Sequence, residues 1–142
     1  MTYEVTDELV ERLKKDEGYR KHPYYDAKGI LTIGYGTNLD ARGLTRLESE
    51  YLLRTECESA LEMVKEAKWF QVLNDARKEV ILNMIYNMGF TRFLGFKKTI
   101  QFLRDKDYLS ASKEMLDSKW YRVDVGHRAI VLSKQMRSGV RQ

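Results

Sequence analysis

The pattern of the sequence changes once, over residues 20–36, and this change constrains the fold more than any other feature. Pro23 and two tyrosines precede the turn sequence DAKG at 26–29, and the run ILTIGYG follows it. Two such runs joined by a glycine-containing turn are typical of a β-hairpin. The segments on either side have apolar residues at helical spacing. The sequence therefore predicts an α+β fold in which one small hairpin accompanies many helices.

Side chains in the second predicted strand alternate between two faces. The bulky side chains that share one face are Leu31, Ile33 and Tyr35. The residues that share the other face are Ile30, Thr32, Gly34 and Gly36. We expect the bulky face to pack into the core. The other face is nearly bare beyond its first residue, so it should leave room for a ligand.

The first predicted helix precedes the hairpin. Thr6 can accept a hydrogen bond as its N-cap, and the acidic residues Asp7 and Glu8 suit the positive end of the helix dipole. Gly18 is suited to the position just after the helix. Glu17 therefore falls in the last turn of this helix.

A long helix is predicted after the hairpin, beginning with the capping-box pair Thr45 and Glu48 and continuing to about Lys68. It would span ~30 Å, enough to join two lobes. The segment DARKEVILNMIYNMG is apolar on most sides, which predicts a central buried helix. Further helices are expected over 95–105, 107–118 and 125–138. Trp69 and Trp120 are expected in the core.

The predicted organisation is a single domain over 1–142 with two lobes. A small α/β lobe covers about 17–60, and an all-helical lobe combines about 1–16 with 61–142. A cleft between two such lobes is where a ligand would bind.

Composition limits the classes of function. The formal net charge of +4 and the pI near 9.1 favour anionic partners, such as nucleic acid, anionic lipid or wall polymers, without choosing among them. Cys57 is the only cysteine, so no internal disulfide can form. No apolar run approaches the ~18 residues of a membrane span, and the charged N-terminus does not resemble a signal peptide. His22 and His127 lie too far apart for a metal motif, so we expect neither metal nor cofactor.

Two carboxyl groups, of Glu17 and Asp26, and the hydroxyl of Thr32 lie within sixteen residues of one another in the sequence. A glycosidase needs groups of these kinds. Cleavage of a glycosidic bond requires an acid for the leaving oxygen and a second group on the opposite face of the sugar. The helix dipole favours protonation of Glu17 by only ~0.3–1 kcal/mol. Burial in a closed cleft would have to supply the rest. Taken alone, Asp26 is equally a turn former and Thr32 an ordinary strand residue.

The order of these groups is similar to a known signature. Eight residues separate Glu17 from Asp26, and five separate Asp26 from Thr32. This spacing resembles the Glu-Asp-Thr pattern of the phage-type lysozymes, glycoside hydrolase family 24. Further agreements, in the order of the family, are DEG and TIGYG beside these residues, Asn83-Met84, Met88-Gly89, Gly95-Phe96, SKWY at 118–121 and His127-Arg128. The resemblance implies a lysozyme-like α+β fold, a monomer, and muramidase activity on peptidoglycan.

The resemblance also implies roles for individual residues. Glu17 would be the general acid, Asp26 the second carboxyl on the far face of the sugar, and Thr32 a holder of the attacking water. The usual outcome in the family is inversion, which requires the two carboxyls to be ~6.5–9.5 Å apart. The substrate-binding residues implied in the same way are Asn38, Tyr86, Asn87, Thr99 and Arg128.

Two of these residues have alternative roles. Tyr86 could stack on a sugar or could belong to the core of its apolar helix. Arg128 could pair with Glu17 or bind carboxylates of the glycan.

The implied function is hydrolysis of the β-1,4 bond between N-acetylmuramic acid and N-acetylglucosamine for host-cell lysis. The enzyme would wait in the host cytoplasm and act in the periplasm and cell wall after a holin opens the membrane. It would neither bind nucleic acid nor insert stably into a membrane.

Three other functions stay open at the level of sequence. A lytic transglycosylase would leave anhydro sugar ends, but it does not need both Asp26 and Thr32. A non-catalytic module could bind wall or nucleic acid through a basic patch of Lys97, Lys98, Arg104 and Lys106. The basic C-terminal segment could act on membranes.

Overall fold

A three-stranded antiparallel sheet forms where the sequence pattern changes. In the computed structural model, which describes residues 2–142, β1 (Arg20–Tyr25) pairs with β2 (Leu31–Gly34), and β2 pairs with β3 (Thr37–Asn38). The predicted hairpin and the α+β class are confirmed. The third strand was not predicted, because two residues are too few to show an alternating pattern.

The predicted faces of β2 are wrong, because a third strand covers Thr32 and because Tyr35 lies beyond the end of the strand at Gly34. Thr32 pairs with Tyr24 on one side and with Asn38 on the other, so it is the central residue of a three-residue row. Only 4% of Thr32 is exposed, whereas 46% of Tyr35 is exposed on the face predicted to be core. A residue of a central strand has neighbours on both sides, and a hairpin alone would have left Thr32 open on one side.

The helix α1 (Asp7–Glu17) has the predicted ends. The Thr6 Oγ1 atom accepts a hydrogen bond from the Leu9 backbone N–H at 3.2 Å. Gly18 follows the helix with a φ of +72°, a conformation that glycine adopts readily. Glu17 is therefore the last helical residue, at the point where α1 leads into the sheet.

The helix α2 (Arg46–Val64) begins as predicted and ends earlier than predicted. The Thr45 backbone N–H donates to Glu48 Oε1 at 2.8 Å, and the Glu48 N–H donates to Thr45 Oγ1 at 3.1 Å, which confirms the capping box. The helix does not reach Lys68, because Ala67 adopts an extended conformation (φ −70°, ψ 125°) before the next helix.

The remaining elements are helical. They are α3 (Lys68–Gln71), α4 (Asp75–Met88), α5 (Phe90–Leu94), α6 (Lys97–Arg104), α7 (Tyr108–Leu116), a π-helix (Trp120–Asp124) and α8 (Gly126–Ser138). The π-helix was not predicted. The predicted burial of α4 is confirmed, since Val80, Ile81 and Met84 are completely buried. Trp120 is 2% exposed, whereas Trp69 is only partly buried against the core.

The chain divides into two compact units. The first ends at Glu50 and includes α1 and the sheet, and the second extends from Tyr51 to Gln142. The predicted lobe boundaries, which assign 1–16 to the helical lobe, stay a prediction.

Candidate active site

The carboxyl group of Glu17 lies against the turn between β2 and β3. The Glu17 Oε2 atom is 2.8 Å from the position that a Cβ atom on Gly36 would occupy. Gly36 has a φ of +80°, which glycine adopts without a steric penalty. The side chain of Glu17 can approach this turn closely because the turn residue has no Cβ atom.

Aromatic contacts hold the end of α1 on the same turn. The rings of Tyr19 and Tyr35 are tilted by 47° with their centroids 5.4 Å apart. The Lys14 Nζ atom lies 5.9 Å from the centroid of the Tyr35 ring. These contacts fix the last turn of α1, and with it Glu17, against the sheet of the first unit.

The expected burial of Glu17 is not present, since its side chain is exposed. The cause is its position at the end of α1, a helix in which no residue is buried. The residues of the first unit therefore leave the Glu17 side chain accessible to water.

The side chain of Asp26 is fixed by the turn that it forms. Its Oδ1 atom accepts hydrogen bonds from the backbone N–H groups of Lys28 at 2.8 Å and Ile30 at 2.9 Å. The Asp26 N–H donates to the Ile30 carbonyl at 3.0 Å. The turn therefore uses one carboxylate oxygen, and Oδ2 is the oxygen that could act on a substrate or a water molecule.

Thr32 is connected to Asp26 through one backbone carbonyl group. The Thr32 hydroxyl donates its hydrogen to the Ile30 carbonyl oxygen at 2.8 Å. The same oxygen accepts the hydrogen bond from the Asp26 N–H. Since the only hydroxyl hydrogen is used, Thr32 Oγ1 can act only as an acceptor toward a water molecule.

Asn38 lies next to Thr32 on the neighbouring strand. Its Oδ1 atom accepts a hydrogen bond from the Ala41 backbone N–H at 2.9 Å. The amide nitrogen is thus the group that could donate to a ligand. The first unit therefore links Asp26, Thr32 and Asn38 through the sheet and its first turn, whereas Glu17 contacts the turn at Gly36.

The helix α4 carries two of the predicted substrate-binding residues of the second unit. Asn87 Oδ1 accepts a hydrogen bond from the Trp120 indole N–H at 2.8 Å, which leaves the amide hydrogens of Asn87 for a ligand. Tyr86 is 42% exposed, so it is not a core residue. The nearby Glu56 carboxylate raises the pKa of the Tyr86 hydroxyl above its usual value of 10.0.

Thr99 lies on α6 and is 2% exposed. It lines a cavity of about 540 Å³ in the second unit, together with Trp120 and the basic residues Arg92, Lys97 and Lys98. The Trp120 ring packs edge-on against Phe96 at 6.1 Å. Trp120 therefore connects the surroundings of Thr99 to Asn87.

Arg128, on α8, is held by α4. Its Nε and Nη2 atoms donate to Asn83 Oδ1 at 2.9 and 2.6 Å. Asn83 lies one helical turn before Asn87, so α4 supports both Arg128 and the Asn87 amide. The proposed pairing of Arg128 with Glu17 or with glycan carboxylates stays a prediction.

Sequence reasoning missed three contributors. In the sequence Gly36 is one residue of a bare strand face, the Ile30 carbonyl gives no signal, and Asn83 stands in a family motif that assigns it no role. Within residues 2–142 no group of three or more His, Cys, Asp or Glu side chains could hold a metal ion. In the same range no helix combines the length and hydrophobicity that a bilayer-spanning helix requires.

The chain is similar to known proteins over most of its length. The model of the family "Phage lysozyme" matches residues 14–136. The chain is 25% identical to the "Probable T4-type lysozyme 1" of Dictyostelium discoideum, over 82% of this chain and 86% of that protein. It is 30% identical to the "Endolysin" of Salmonella phage P22, over 80% of this chain and 82% of that protein. The chain therefore belongs to the phage lysozyme family, and it is a lysozyme, a glycosidase that hydrolyses peptidoglycan.

Proposed function

We propose that this lysozyme cleaves the β-1,4 bond between N-acetylmuramic acid and N-acetylglucosamine with inversion at the anomeric carbon. The observation that carries the proposal is the sharing of the Ile30 carbonyl by Asp26 and Thr32. This carbonyl ties the backbone of Asp26 to the hydroxyl of Thr32 in the adjoining strand, and we infer that the Asp26 carboxylate and the Thr32 hydroxyl could hold a water molecule between them.

Asp26 Oδ2 and Thr32 Oγ1 are both hydrogen-bond acceptors in this arrangement. A water molecule between them would donate one hydrogen to each, so its lone pair would be directed away from both. Asp26 would take the proton as the water oxygen attacks the anomeric carbon. Inversion further requires the Glu17 and Asp26 carboxyls to stand ~6.5–9.5 Å apart so that the water fits.

Glu17 would donate its proton to the glycosidic oxygen, and the bond to the leaving sugar would break as the new carbon–oxygen bond forms. Its carboxyl is exposed in the free protein. Bound glycan would have to exclude water from it and thereby favour the protonated form. Substrate binding and acid strength would then be coupled at this residue.

The remaining predicted residues would bind sugars. The amide groups of Asn38 and Asn87 each keep their hydrogens for an acceptor such as an N-acetyl carbonyl. Tyr86, with its exposed ring, would stack on a sugar face. Thr99 and Arg128 would contact polar groups of the glycan.

We further propose that the biological role is lysis of a bacterial host by a monomeric enzyme. It would accumulate in the host cytoplasm and reach the periplasm and cell wall after a holin opens the membrane. The similarity to a phage endolysin supports this role. Holin dependence can be tested by expressing the chain in bacteria with and without a holin and following the turbidity of the culture.

Product analysis on purified peptidoglycan tests the chemistry. Mass spectrometry should find reducing N-acetylmuramic acid ends, and NMR of fresh products should find the α-anomer that inversion of a β-bond produces. Anhydro ends would instead identify a lytic transglycosylase. Glu17→Gln should abolish turnover, and wild-type rates in this variant would refute its role as the acid.

Asp26→Asn provides a matched test of the second carboxyl. An asparagine Oδ1 can accept the same two backbone hydrogen bonds, so the turn should be kept while the base is lost. We expect a fall in kcat of ~10²-fold or more with an unchanged circular dichroism spectrum.

A further inference from the structure

A second cavity in the second unit combines an apolar floor with a basic rim. The cavity of about 480 Å³ is lined by Ala67, Lys68, Trp69, Val72, Arg104 and Lys106. Half of these residues are cations and none is acidic. We name it the Trp69 cavity. It contains none of the residues assigned to hydrolysis or sugar binding.

The floor of the Trp69 cavity is built from the edge of the hydrophobic core. The Trp69 ring packs against Phe70 at 6.2 Å and Phe93 at 6.1 Å, while part of the indole stays accessible. Val72 beside it is 54% exposed. An indole and an aliphatic side chain are therefore presented to the outside at a place where cations surround them.

The carboxylates that follow the rim residues along the chain have other partners. Asp105 Oδ1 accepts a hydrogen bond from Gln101 Nε2 at 3.2 Å. Asp107 caps α7 by accepting from the Ser110 N–H at 3.0 Å. Neither carboxylate forms an ion pair with Arg104 or Lys106, so both cationic side chains can contact an external anion.

Lys106 has an unusual backbone. Its φ of +58° is the only positive φ among the non-glycine residues that the structure describes. Glycine or asparagine is the usual residue in this conformation, and bulky residues are rare. A lysine therefore occupies a position where local backbone preference favours glycine.

We propose that the Trp69 cavity is a contact site for an anionic phospholipid surface. Tryptophan prefers the headgroup level of a bilayer, and the long side chains of lysine and arginine can extend from an apolar contact to lipid phosphates. A soluble phosphate or a wall polyanion would use the cations but would leave the indole and Val72 without an apolar partner. The contact is peripheral, because it consists of a few side chains and no inserted helix.

The proposal is tested with the full chain and two kinds of vesicle, phosphatidylcholine alone and phosphatidylcholine with phosphatidylglycerol. The protein should sediment with the second kind and dissociate as salt is raised. Its tryptophan emission should shift to the blue. The chain has two tryptophans, and Trp120 is buried and hydrogen-bonded to Asn87, so the shift should disappear in Trp69→Phe.

Matched charge variants separate this site from general attraction by the net charge. Lys68→Gln should reduce the vesicle partition coefficient about fivefold, which corresponds to ~1 kcal/mol. Lys134→Gln removes the same charge from an exposed position on α8 and should change it less than twofold. Lys106→Gly should also weaken binding about fivefold, and it should not reduce the melting temperature because glycine suits this backbone.

Hydrolysis of purified, membrane-free peptidoglycan should be unchanged in all of these variants, which separates the inference from the proposed function. Equal binding to phosphatidylcholine alone would overturn the proposal. Equal losses in Lys68→Gln and Lys134→Gln would also overturn it. Binding to soluble polyphosphate or single-stranded DNA without sedimentation with vesicles would show that the cavity serves a different anion.

Discussion

The Glu17 Oε2 atom and the backbone of Gly36 are so close that a Cβ atom on Gly36 would lie 2.8 Å from that oxygen. The Glu17 Cδ atom would lie 3.5 Å from the same Cβ. Cβ atoms do not tolerate a contact of 2.8 Å, so any side chain at this position would displace the carboxyl. Gly36 therefore leaves the space that the carboxyl of the proposed acid occupies, although it contributes no functional group.

We predict that Gly36→Ala lowers kcat at least tenfold while the chain still folds. The matched control is Gly34→Ala, because Gly34 also has a positive φ (+66°) but has no atom within 4 Å of its would-be Cβ. Both variants should lose ~1–2 kcal/mol of stability from the strained backbone. Only Gly36→Ala should also move the carboxyl of Glu17.

Steady-state kinetics on soluble glycan fragments and thermal unfolding of both variants check this prediction. Equal activity losses in Gly34→Ala and Gly36→Ala would show that backbone strain, and not the position of Glu17, controls turnover.

The hydroxyl of Thr32 provides a second prediction. Thr32→Val keeps the shape of the side chain but removes both the hydrogen bond to the Ile30 carbonyl and the acceptor for water. We expect a fall in kcat of ~10²-fold and little change in KM. Thr32→Ser restores a hydroxyl and should recover most of the activity. Stopped assays on purified peptidoglycan measure both, and an active Thr32→Val would argue against the water-holding role.

Short sequence patterns correctly predicted those parts of the fold that depend only on residues close together in the chain. The Thr6 cap, the Gly18 stop and the Thr45–Glu48 capping box each involve residues within a few positions, and the structure shows their hydrogen bonds or backbone angles. The same holds for the first hairpin, whose turn is formed by Asp26 and its near neighbours.

The parts that were missed depend on residues far apart in the chain. The contact of Glu17 with Gly36 requires α1 to fold back onto a later turn, and no pattern near either residue encodes it. The π-helix begins at Trp120, whose indole is bonded to Asn87 on α4. Both cases arise from packing between distant segments, and packing overrides local preference.

The hydrogen bond between Asn87 and Trp120 makes a contribution to the free energy of unfolding that can be measured. Asn87→Ala would leave the buried indole N–H without its partner, so we expect a loss of ~1–3 kcal/mol in the free energy of unfolding. It should also raise KM if the amide binds an N-acetyl group. In Trp120→Phe the donor is absent, so adding Asn87→Ala to that variant should cost much less stability. Urea unfolding of the four proteins in this cycle gives the coupling energy.

The last prediction concerns acid stability and the start of α2. The hydrogen bond from Arg42, at 2.6 Å, and that from the Thr45 backbone N–H lower the pKa of Glu48 from 4.5 to about 2. Because the folded state binds this proton less tightly than the unfolded state, the carboxylate stabilises the fold fully above pH 4.5. This contribution is lost as the pH falls from about 4.5 to about 2.

Glu48→Gln should therefore flatten the pH dependence of stability in that range, since glutamine keeps the capping box without a titratable proton. The matched control is Glu50→Gln, which removes an exposed carboxyl from the next turn of the same helix. Urea unfolding at intervals from about pH 2 to about pH 6 measures the free energy of unfolding of each protein. This pH range covers the pKa values that carboxyls usually have in folded proteins. If the curves of the wild type and Glu48→Gln run parallel, the Arg42–Glu48 pair is formed in the unfolded chain as well or does not hold in solution.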